Sequence, residues 1–239
     1  MKLSIVIPAH NEEHRLLPTL QAYASFFVER FGDGVELIVV VNHCSDDTEG
    51  VARKVGENYS QIRVVVEPSR IGKGGAVEMG MRLAQGELVG FVDADGATPP
   101  QMFFELIENL DEAGCIIGSR WIEGAVVSPR QSWMRRLASR ILNKVVVHGV
   151  FRLPIYDSQC GAKLFRKDVL EEVLPKAAEW GWAFDIDLLC RTTRLGYLIK
   201  EHPIEWHHVP GNSTTFLLMS LQMIASVWRV KKALSRRNG

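Results

Sequence analysis

The chain has 239 residues, of which 46% are hydrophobic and 23% are charged, as in an ordinary globular protein of one large or two small domains. Its net charge is zero, which argues against a general nucleic-acid-binding role. No apolar run reaches the roughly 18–20 residues that span a bilayer, and the N-terminus lacks a signal-peptide pattern. We therefore expect a soluble or peripheral cytoplasmic protein with four reduced cysteines.

The charged residues are unevenly distributed along the chain. Five basic residues and no acidic residue occur from Arg229 to the C-terminus, so the first 228 residues hold 23 of the 28 basic residues and all 28 acidic ones. A second acid-free stretch, 124–156, contains six basic residues. Such blocks indicate an anionic partner, either a phosphate group or a membrane surface.

Short apolar runs alternate with amphipathic stretches over the first 120 residues. The pattern predicts strands at 3–8, 35–42, 62–66, 88–92 and 115–118, with helices near 16–27, 45–56, 70–83 and 99–110. This alternation predicts an α/β fold with a mainly parallel sheet. Further on, it predicts a basic amphipathic helix at 133–147, a polar loop at 157–163, a helix from 182 and a strand at 197–204.

Four polar loops are expected to meet at one edge of this sheet, around Asn11, Asn42, Lys73 and Asp93. Asp93 and Asp95 leave the end of a strand together, and carboxylate oxygens suit Mg²⁺ or Mn²⁺ shared with substrate phosphates. A solvated turn is the alternative interpretation of this pair. The Gly-Lys-Gly-Gly run beginning at residue 72 is not a P-loop, but a helix N-terminus beside Lys73 would favour an anion.

Two other stretches allow alternative interpretations. His202, His207 and His208 could suggest zinc, but histidines of an ordinary surface are the favoured interpretation. The stretch 214–228 is apolar with one more polar side, and basic residues follow it. It is too short to span a bilayer and suits a helix lying in the membrane interface, or alternatively one packed on the core of its own domain.

Six motifs in a fixed order then resemble a known family. They are residues 5–12 (IVIPAHNE), 42–48 (NHCSDDT), 72–76 (GKGGA), 93–98 (DADGAT), 118–120 (GSR) and 157–163 (DSQCGAK), with 182–185 (WAFD) extending the likeness. Together they resemble the inverting glycosyltransferases of family 2, which have the GT-A fold, and especially the branch that transfers sugars to dolichyl or other polyprenyl phosphates. The forms at 93–97, 159–163 and 182–185 are more similar to dolichyl-phosphate glucosyltransferases than to mannosyltransferases.

The resemblance implies a division of the chain. A GT-A domain, a mainly parallel α/β sheet flanked by helices, would span 1–212, with a nucleotide-sugar half at 1–120 and an acceptor half at 121–212. Residues 213–239 would form an amphipathic, basic segment that associates with the inner face of the cell membrane. The oligomeric state stays open.

The same resemblance implies residues for the nucleotide pocket. Pro8, Ala9 and Glu12 would line it. The family usually has an aspartate after the second strand to read the base, whereas Asn42 stands in that neighbourhood here and is the expected reader.

Further roles concern the diphosphate. Asp95 would bind Mg²⁺ or Mn²⁺, and Asp93 would lie near the ribose and serve as a second ligand. Lys73 would balance the charge that develops on the leaving diphosphate. Ala97 replaces a glutamine that assists the metal in mannosyltransferase-like relatives, which favours a UDP-sugar. Arg120 would face the diphosphate or the acceptor phosphate.

Two carboxylates are candidates for the acceptor side. Asp157 would act as a base or orient the acceptor, with Asp185 as second candidate, although a polyprenyl phosphate is already anionic and needs no base. A turn residue that caps the loop is the alternative for Asp157. Four basic residues would grip the lipid phosphate and anionic headgroups, or else form a solvated helix face: Arg130, Arg135, Arg136 and Arg140.

The implied activity is inverting transfer of a hexose, glucose from a UDP donor, to a polyprenyl or dolichyl phosphate. The alternatives are a GDP-mannose-dependent mannosyltransferase, a family 2 enzyme with a soluble acceptor, and a non-catalytic nucleotide-sugar-binding protein. The Asp-x-Asp-Gly-x-Thr form also resembles phosphatases that form an aspartyl-phosphate, but those usually place it after their first strand.

Overall fold

The computed structural model describes residues 1–128, 147–177, 181, 183–207 and 216–235, with the side chains of the last helix described from residue 225. The basic helix predicted at 133–147 lies almost entirely outside the described residues. The same holds for several residues that the sequence analysis named: Arg130, Arg135, Arg136, Arg140, Trp182 and His208.

Nine strands and seven α-helices make up the described fold. The strands are β1 (Leu3–Ala9), β2 (Val35–Asn42), β3 (Ile62–Glu67), β4 (Leu88–Val92), β5 (Cys115–Ser119), β6 (Val126–Ser128), β7 (Ala162–Arg166), β8 (Ile199–Pro203) and β9 (Glu205–His207). The helices are α1 (Glu13–Phe31), α2 (Thr48–Gly56), α3 (Gly72–Leu83), α4 (Pro100–Glu108), α5 (Lys167–Val173), α6 (Phe184–Arg194) and α7 (Phe216–Ser235).

Seven strands form one sheet in the order β3-β2-β1-β4-β7-β5-β8, and β6 pairs with β9 separately. All neighbours in the large sheet are parallel except β7, which runs antiparallel to both β4 and β5. The prediction of a mainly parallel α/β sheet is confirmed. Strand β7 is a finding beyond the prediction, and it inserts a segment of the second half between two strands of the first.

The central strands are apolar on both faces because helices cover both sides of the sheet. All eight residues of β2 are buried. Along β1, Val6 packs in one core cluster with residues of α3 and α6, whereas Ile5 and Ile7 pack in the other with residues of α1 and α4. This alternation is the two-residue period of a strand, and the carboxyl ends of the strands stay free for a site.

Helix α3 lies unusually close to the sheet. A Cβ atom added at Gly80 would stand 2.3 Å from a methyl carbon of Val6, so only glycine allows this approach. The close packing fixes the N-terminus of α3, and with it Lys73, at the carboxyl edge of the strands.

The C-terminal helix α7 packs against the domain with one side. Val230 and Leu234 are buried in the same core cluster as residues of α6, and Arg194 donates a hydrogen bond of 2.8 Å to the carbonyl oxygen of Leu234. Trp228 points outward and is 64% exposed. The described half of α7 therefore has a docked side and an open side. Within the described part of the chain, no helix combines the length and apolar character needed to cross a bilayer.

Candidate active site

The four predicted loops meet at a cavity of about 770 Å³ at the carboxyl edge of β1, β2 and β4. His10, Asn42, Lys73 and Asp93 line it, each from one of these loops. The convergence predicted from the sequence is therefore what the fold produces.

Asp93 and Lys73 form an ion pair inside this cavity, with 2.6 Å between Oδ1 and Nζ. Partial desolvation in the cavity works against the charged form of Lys73, but the negative charges of Asp93 and Asp185 outweigh it and raise the pKa of the ammonium group. The backbone N–H of Asp93 donates to the carbonyl oxygen of Gly161 at 3.1 Å. A Cβ atom at Gly161 would stand 2.1 Å from Oδ2 of Asp93, so the carboxylate is held where only a glycine can face it.

Asp95 lies beside Asp93 and also lines the cavity. Burial raises the pKa of the Asp95 carboxyl, and the charge of Asp93 raises it further. One oxygen, Oδ1, accepts a hydrogen bond of 3.0 Å from the backbone N–H of Ala97. A nearby cation would relieve the repulsion between the two carboxylates. Among the described residues, no group of three or more His, Cys, Asp or Glu side chains is arranged to hold a metal ion by itself.

Glu12 is a third carboxylate at the cavity. Arg15 donates two hydrogen bonds of 2.6 Å to its oxygens. Burial raises the pKa of Glu12 even though Arg15 acts to lower it. The pocket positions predicted for Pro8, Ala9 and Glu12 coincide with the lining of the cavity.

Asn42 lines the cavity, but its side chain also holds the loop that precedes α3. Its Nδ2 atom donates to the carbonyl oxygen of Ser69 at 2.6 Å, and its Oδ1 atom accepts from the backbone N–H of Gly72 at 3.1 Å. These bonds explain why an amide stands at the end of β2. Base recognition by Asn42 stays a prediction.

Asp185 lies in the first turn of α6 and reaches the cavity while paired with a fully buried lysine. The Nζ atom of Lys163 is 2.7 Å from Oδ1 of Asp185 and donates to the carbonyl oxygen of Cys160 at 2.6 Å. Lys163 belongs to the motif at 157–163, and the motif alone predicts no role for it. Because a buried ammonium group needs a partner, its function here is to hold Asp185 and the loop before β7.

Arg120 and Asp157 form another ion pair, outside the described lining of the cavity. The guanidinium donates to both carboxylate oxygens, at 2.7 and 2.9 Å, and the backbone N–H of Arg120 adds a bond of 3.0 Å. Glu201 accepts the backbone N–H groups of Tyr156 and Asp157 at 2.7 and 2.9 Å, and burial raises the pKa of Glu201. With both oxygens of Asp157 engaged, this geometry suits the orienting role better than the role of a base.

Several lining residues, including Arg70, Gln159 and three residues of α7, have no counterpart among the predicted site residues. Gln159 has a buried Nε2 atom without a hydrogen-bond partner among the described residues, which leaves a donor for a ligand oxygen. Its place two residues after Asp157 in a polar loop was the available signal. Helix α7 contributes Ala225, Ser226 and Arg229, which the amphipathic pattern alone could not orient.

Two of the three histidines considered for zinc, His202 and His207, belong to the described residues, and each lies beside a carboxylate. Nε2 of His202 lies 2.8 Å from a Glu105 oxygen, and Nε2 of His207 lies 3.3 Å from a Glu205 oxygen. The two rings therefore contact different carboxylates.

A carboxylate pair, a lysine at a helix N-terminus and a large cavity at the edge of a mainly parallel sheet suit the binding of a phosphorylated ligand, as in a nucleotide-dependent transferase with an α/β fold. The family comparison agrees. Residues 4–174 match the model described as "Glycosyl transferase family 2", and the chain belongs to this family of glycosyltransferases.

Curated relatives extend the likeness over nearly the whole chain. A dolichyl-phosphate beta-glucosyltransferase of Saccharomyces cerevisiae is 30% identical, over 97% of this chain and 74% of the relative. One from Drosophila melanogaster is 30% identical, over 93% of this chain and 72% of the relative.

Solved structures match in fold. Glucosyl-3-phosphoglycerate synthase from Mycobacterium tuberculosis in complex with UDP has a TM-score of 0.71 and 24% identity, over 97% of this chain and 80% of that one. The same synthase with Mn²⁺, UDP-glucose and phosphoglyceric acid has a TM-score of 0.70 and 22% identity, over 97% and 80%. At this identity the likeness establishes the GT-A-like fold.

Proposed function

We propose that this enzyme transfers glucose from UDP-glucose to a polyprenyl phosphate, with inversion at the anomeric carbon. The observation that carries the proposal is the grouping of Asp93, Asp95 and Lys73 in one cavity at the strand ends. The curated relatives named above, which are dolichyl-phosphate beta-glucosyltransferases, support the choice of sugar and acceptor.

The donor would lie along the edge of β1 and β2. Pro8, Ala9 and Asn42 would form the wall for the nucleoside, and the diphosphate would face Lys73 and the N-terminus of α3. The buried Nε2 atom of Gln159 would then donate to an oxygen of the donor, which satisfies a group that otherwise costs stability.

Asp95 and Asp93 fit a divalent cation, Mg²⁺ or Mn²⁺. The raised pKa of Asp95 reflects burial and the repulsion from Asp93, and bound positive charge would relieve that repulsion. Such a cation supplies neutralisation of the diphosphate charge. Two carboxylates alone are few ligands, so donor oxygens and water would complete the coordination.

The reaction follows from charge. An oxygen of the acceptor phosphate attacks the anomeric carbon from the face opposite the diphosphate, the bond from that carbon to the diphosphate oxygen breaks, and UDP leaves. Lys73 stabilises the negative charge that grows on the leaving group. A phosphate acceptor is already anionic and needs no base, which agrees with the engagement of both Asp157 oxygens by Arg120. Asp157 and Arg120 would brace the loop at 157–163, and Lys163 would hold the Asp185 carboxylate in position at the cavity.

The enzyme would bind its lipid acceptor at the cytoplasmic face of the membrane. The open side of α7 carries Trp228, with Nζ of Lys232 5.3 Å from its ring centroid. An aromatic ring beside a basic residue suits the headgroup region. The predicted contacts of Arg130, Arg135, Arg136 and Arg140 with the lipid phosphate belong to this proposal and lie outside the described residues.

The test is a transfer assay with a choice of substrates. Purified enzyme is incubated with Mn²⁺, a short polyprenyl phosphate in detergent, and either UDP-glucose or GDP-mannose. We expect β-linked glucosyl lipid, identified by NMR of the anomeric proton, from UDP-glucose only. Parallel reactions with 3-phosphoglycerate test a soluble acceptor, and Asp95→Asn is the inactive control. If no donor yields lipid-linked sugar, the proposed function is wrong.

A further inference from the structure

Gln159 is a lining residue of the cavity that has an unused hydrogen-bond donor. Its Nε2 atom is buried and has no hydrogen-bond partner among the described residues. The second half of the chain also contributes Gly181, Phe184 and Asp185 to the lining. Because native proteins rarely leave a buried donor unpaired, the amide of Gln159 indicates a ligand that supplies the missing acceptor.

The chain is held in place on both sides of Gln159. Two residues before it, Asp157 accepts three hydrogen bonds from Arg120. Directly after it, Cys160 is 0% exposed, and its carbonyl oxygen accepts a hydrogen bond of 2.6 Å from Nζ of Lys163. Rotation about the last side-chain bond of a glutamine remains easy and exchanges the positions of its nitrogen and oxygen. The loop therefore fixes the place of the amide, and a ligand can set its orientation.

The order of the strands indicates which part of a donor would reach this amide. Strands β2, β1, β4 and β7 are neighbours in that order. The proposed nucleoside wall lies at the ends of β1 and β2, and Asp93 directly follows β4. Val92 pairs with Ala162 in the antiparallel β4–β7 ladder, so the loop before β7 lies at the same edge of the sheet. Gln159 is therefore on the far side of Asp93 from the nucleoside wall.

A UDP-sugar carries its nucleoside, diphosphate and hexose in that order. With the nucleoside at β1 and β2 and the diphosphate at Lys73, the hexose would extend towards β7. Asp185 lines the cavity and is paired through Oδ1 with Lys163. It keeps acceptor sites for a hydroxyl hydrogen, because a carboxylate has about four lone-pair sites. An amide donor and a carboxylate acceptor suit the hydroxyl groups of a hexose.

We infer that Gln159 is a substrate-binding residue that donates a hydrogen bond to a hydroxyl oxygen of the donor hexose and contributes to the choice of sugar. This inference rests on the proposed function and adds a sugar contact to it. A site that pairs one particular hydroxyl disfavours sugars without it, because the buried donor is then left unpaired. A phosphate oxygen is the other acceptor that the donor offers, and the experiment separates the two.

The experiment compares Gln159→Met with Gln101→Met. Methionine is an unbranched side chain of similar length that cannot donate a hydrogen bond. Gln101 is exposed on α4 and outside the described lining of the cavity. Calorimetry with Mn²⁺ measures Kd for UDP, which lacks the hexose, and for UDP-glucose. A transfer assay measures kcat/KM for UDP-glucose and for analogues that each lack one hydroxyl of the sugar.

Melting temperatures check that the variants are folded. Gln159→Asn, whose amide is one methylene shorter, replaces the methionine variant if that one does not fold, and it is judged by the same criteria.

We expect Gln159→Met to raise the Kd of UDP-glucose about five- to tenfold, the scale of one neutral hydrogen bond, and to leave that of UDP within about twofold. One deoxygenated analogue should lose a similar factor with the wild type and nothing further with Gln159→Met, because the variant and the analogue remove the same bond. Gln101→Met should match the wild type with every ligand.

The contrary outcomes are distinguishable. If Gln159→Met weakens the binding of UDP and UDP-glucose equally, the amide contacts the diphosphate and the hexose assignment is wrong. If the wild type binds UDP and transfers glucose, and Gln159→Met matches Gln101→Met in every parameter, the inference is wrong while the proposed function stands. If the wild type neither binds UDP nor forms a glycosylated product, the proposed function and this inference are both overturned.

Discussion

Two ion pairs at the carboxyl edge of the sheet differ in what they can do. The side chains of Lys73 and Asp93 are 44% and 34% exposed and face the cavity, whereas those of Arg120 and Asp157 are 14% and 0% exposed and lie behind it. Water and ligand can reach the first pair, so its members can exchange partners when a substrate binds. The second pair is closed on itself by two side-chain hydrogen bonds and one from the backbone. We therefore propose that the first pair takes part in substrate binding and that the second pair stabilises the structure around it.

The largest effect on stability is expected from breaking the Arg120–Asp157 pair. Asp157→Ala would leave the Arg120 guanidinium buried without its carboxylate, and such a loss costs about 3–5 kcal/mol of unfolding free energy. Chemical denaturation followed by circular dichroism measures it. The double variant Arg120→Met, Asp157→Leu removes both charges and should recover much of the loss. If Asp157→Ala unfolds like the wild type, this pair is not a structural brace.

Breaking the Lys73–Asp93 pair should have the reverse pattern, with a large loss of activity and a small loss of stability. Asp93→Asn removes a charge next to the diphosphate position, so we expect turnover to fall on the order of 100-fold, the scale for losing one electrostatic contact in a transition state. Unfolding free energy should change by less than about 1 kcal/mol, since half-exposed ion pairs contribute little. Glucose transfer and denaturation are measured on the same preparation. A loss of stability equal to that of Asp157→Ala would abolish the distinction between the pairs.

The exposed side of α7, with Trp228 and Lys232, is the proposed membrane contact, and a smaller effect is expected from changing it. Replacing both Trp228 and Lys232 with alanine should lower binding to anionic lipid vesicles, with about 1 kcal/mol from the lysine charge alone. Flotation with vesicles measures it, and neutral vesicles serve as the control. Deleting the helix is a poor test, because Val230 and Leu234 belong to the core. Equal flotation of the double variant would exclude this side as the membrane contact.

The smallest predicted effect is a change, with pH, in the melting temperature of the ligand-free protein. Because the pKa of Asp95 is raised in the folded state, the fold binds that proton more tightly than the unfolded chain does. Asp95 thus contributes stability at low pH that is lost as pH rises through the raised pKa. At neutral pH without cation, Asp95→Asn should melt at a slightly higher temperature than the wild type, and the difference should vanish below about pH 4. A lower melting temperature at neutral pH would contradict this assignment.

The meeting of polar loops at the carboxyl edge of the sheet was predictable, because their residues lie at strand ends along a regular α/β alternation. Asn42, Lys73 and Asp93 each follow a short apolar run or open a helix, and parallel topology brings such loops together. The contacts that the sequence did not reveal are long-range. Arg120 and Asp157 are 37 residues apart, and no local pattern indicates that they pair.

The orientation of the elements after residue 124 also could not be predicted from the sequence. Strand β7 is five residues long and antiparallel, and its first residues continue a polar motif that reads as a loop. The amphipathic pattern of α7 indicates two sides but not which one faces the domain. Ser226 and Arg229 therefore entered the site only with the tertiary structure.

Gly161 connects the loop at 157–163 with Asp93, at the end of β4. The carbonyl oxygen of Gly161 receives the N–H of Asp93, and its missing Cβ leaves the room in which the Asp93 carboxylate stands. Residue 161 lies in the loop that carries Asp157 and Gln159, so any larger residue there would displace the Asp93 carboxylate. If the proposed roles are correct, variation of this loop for new acceptors is limited by donor binding at this one position, and libraries aimed at new acceptors should keep Gly161 fixed.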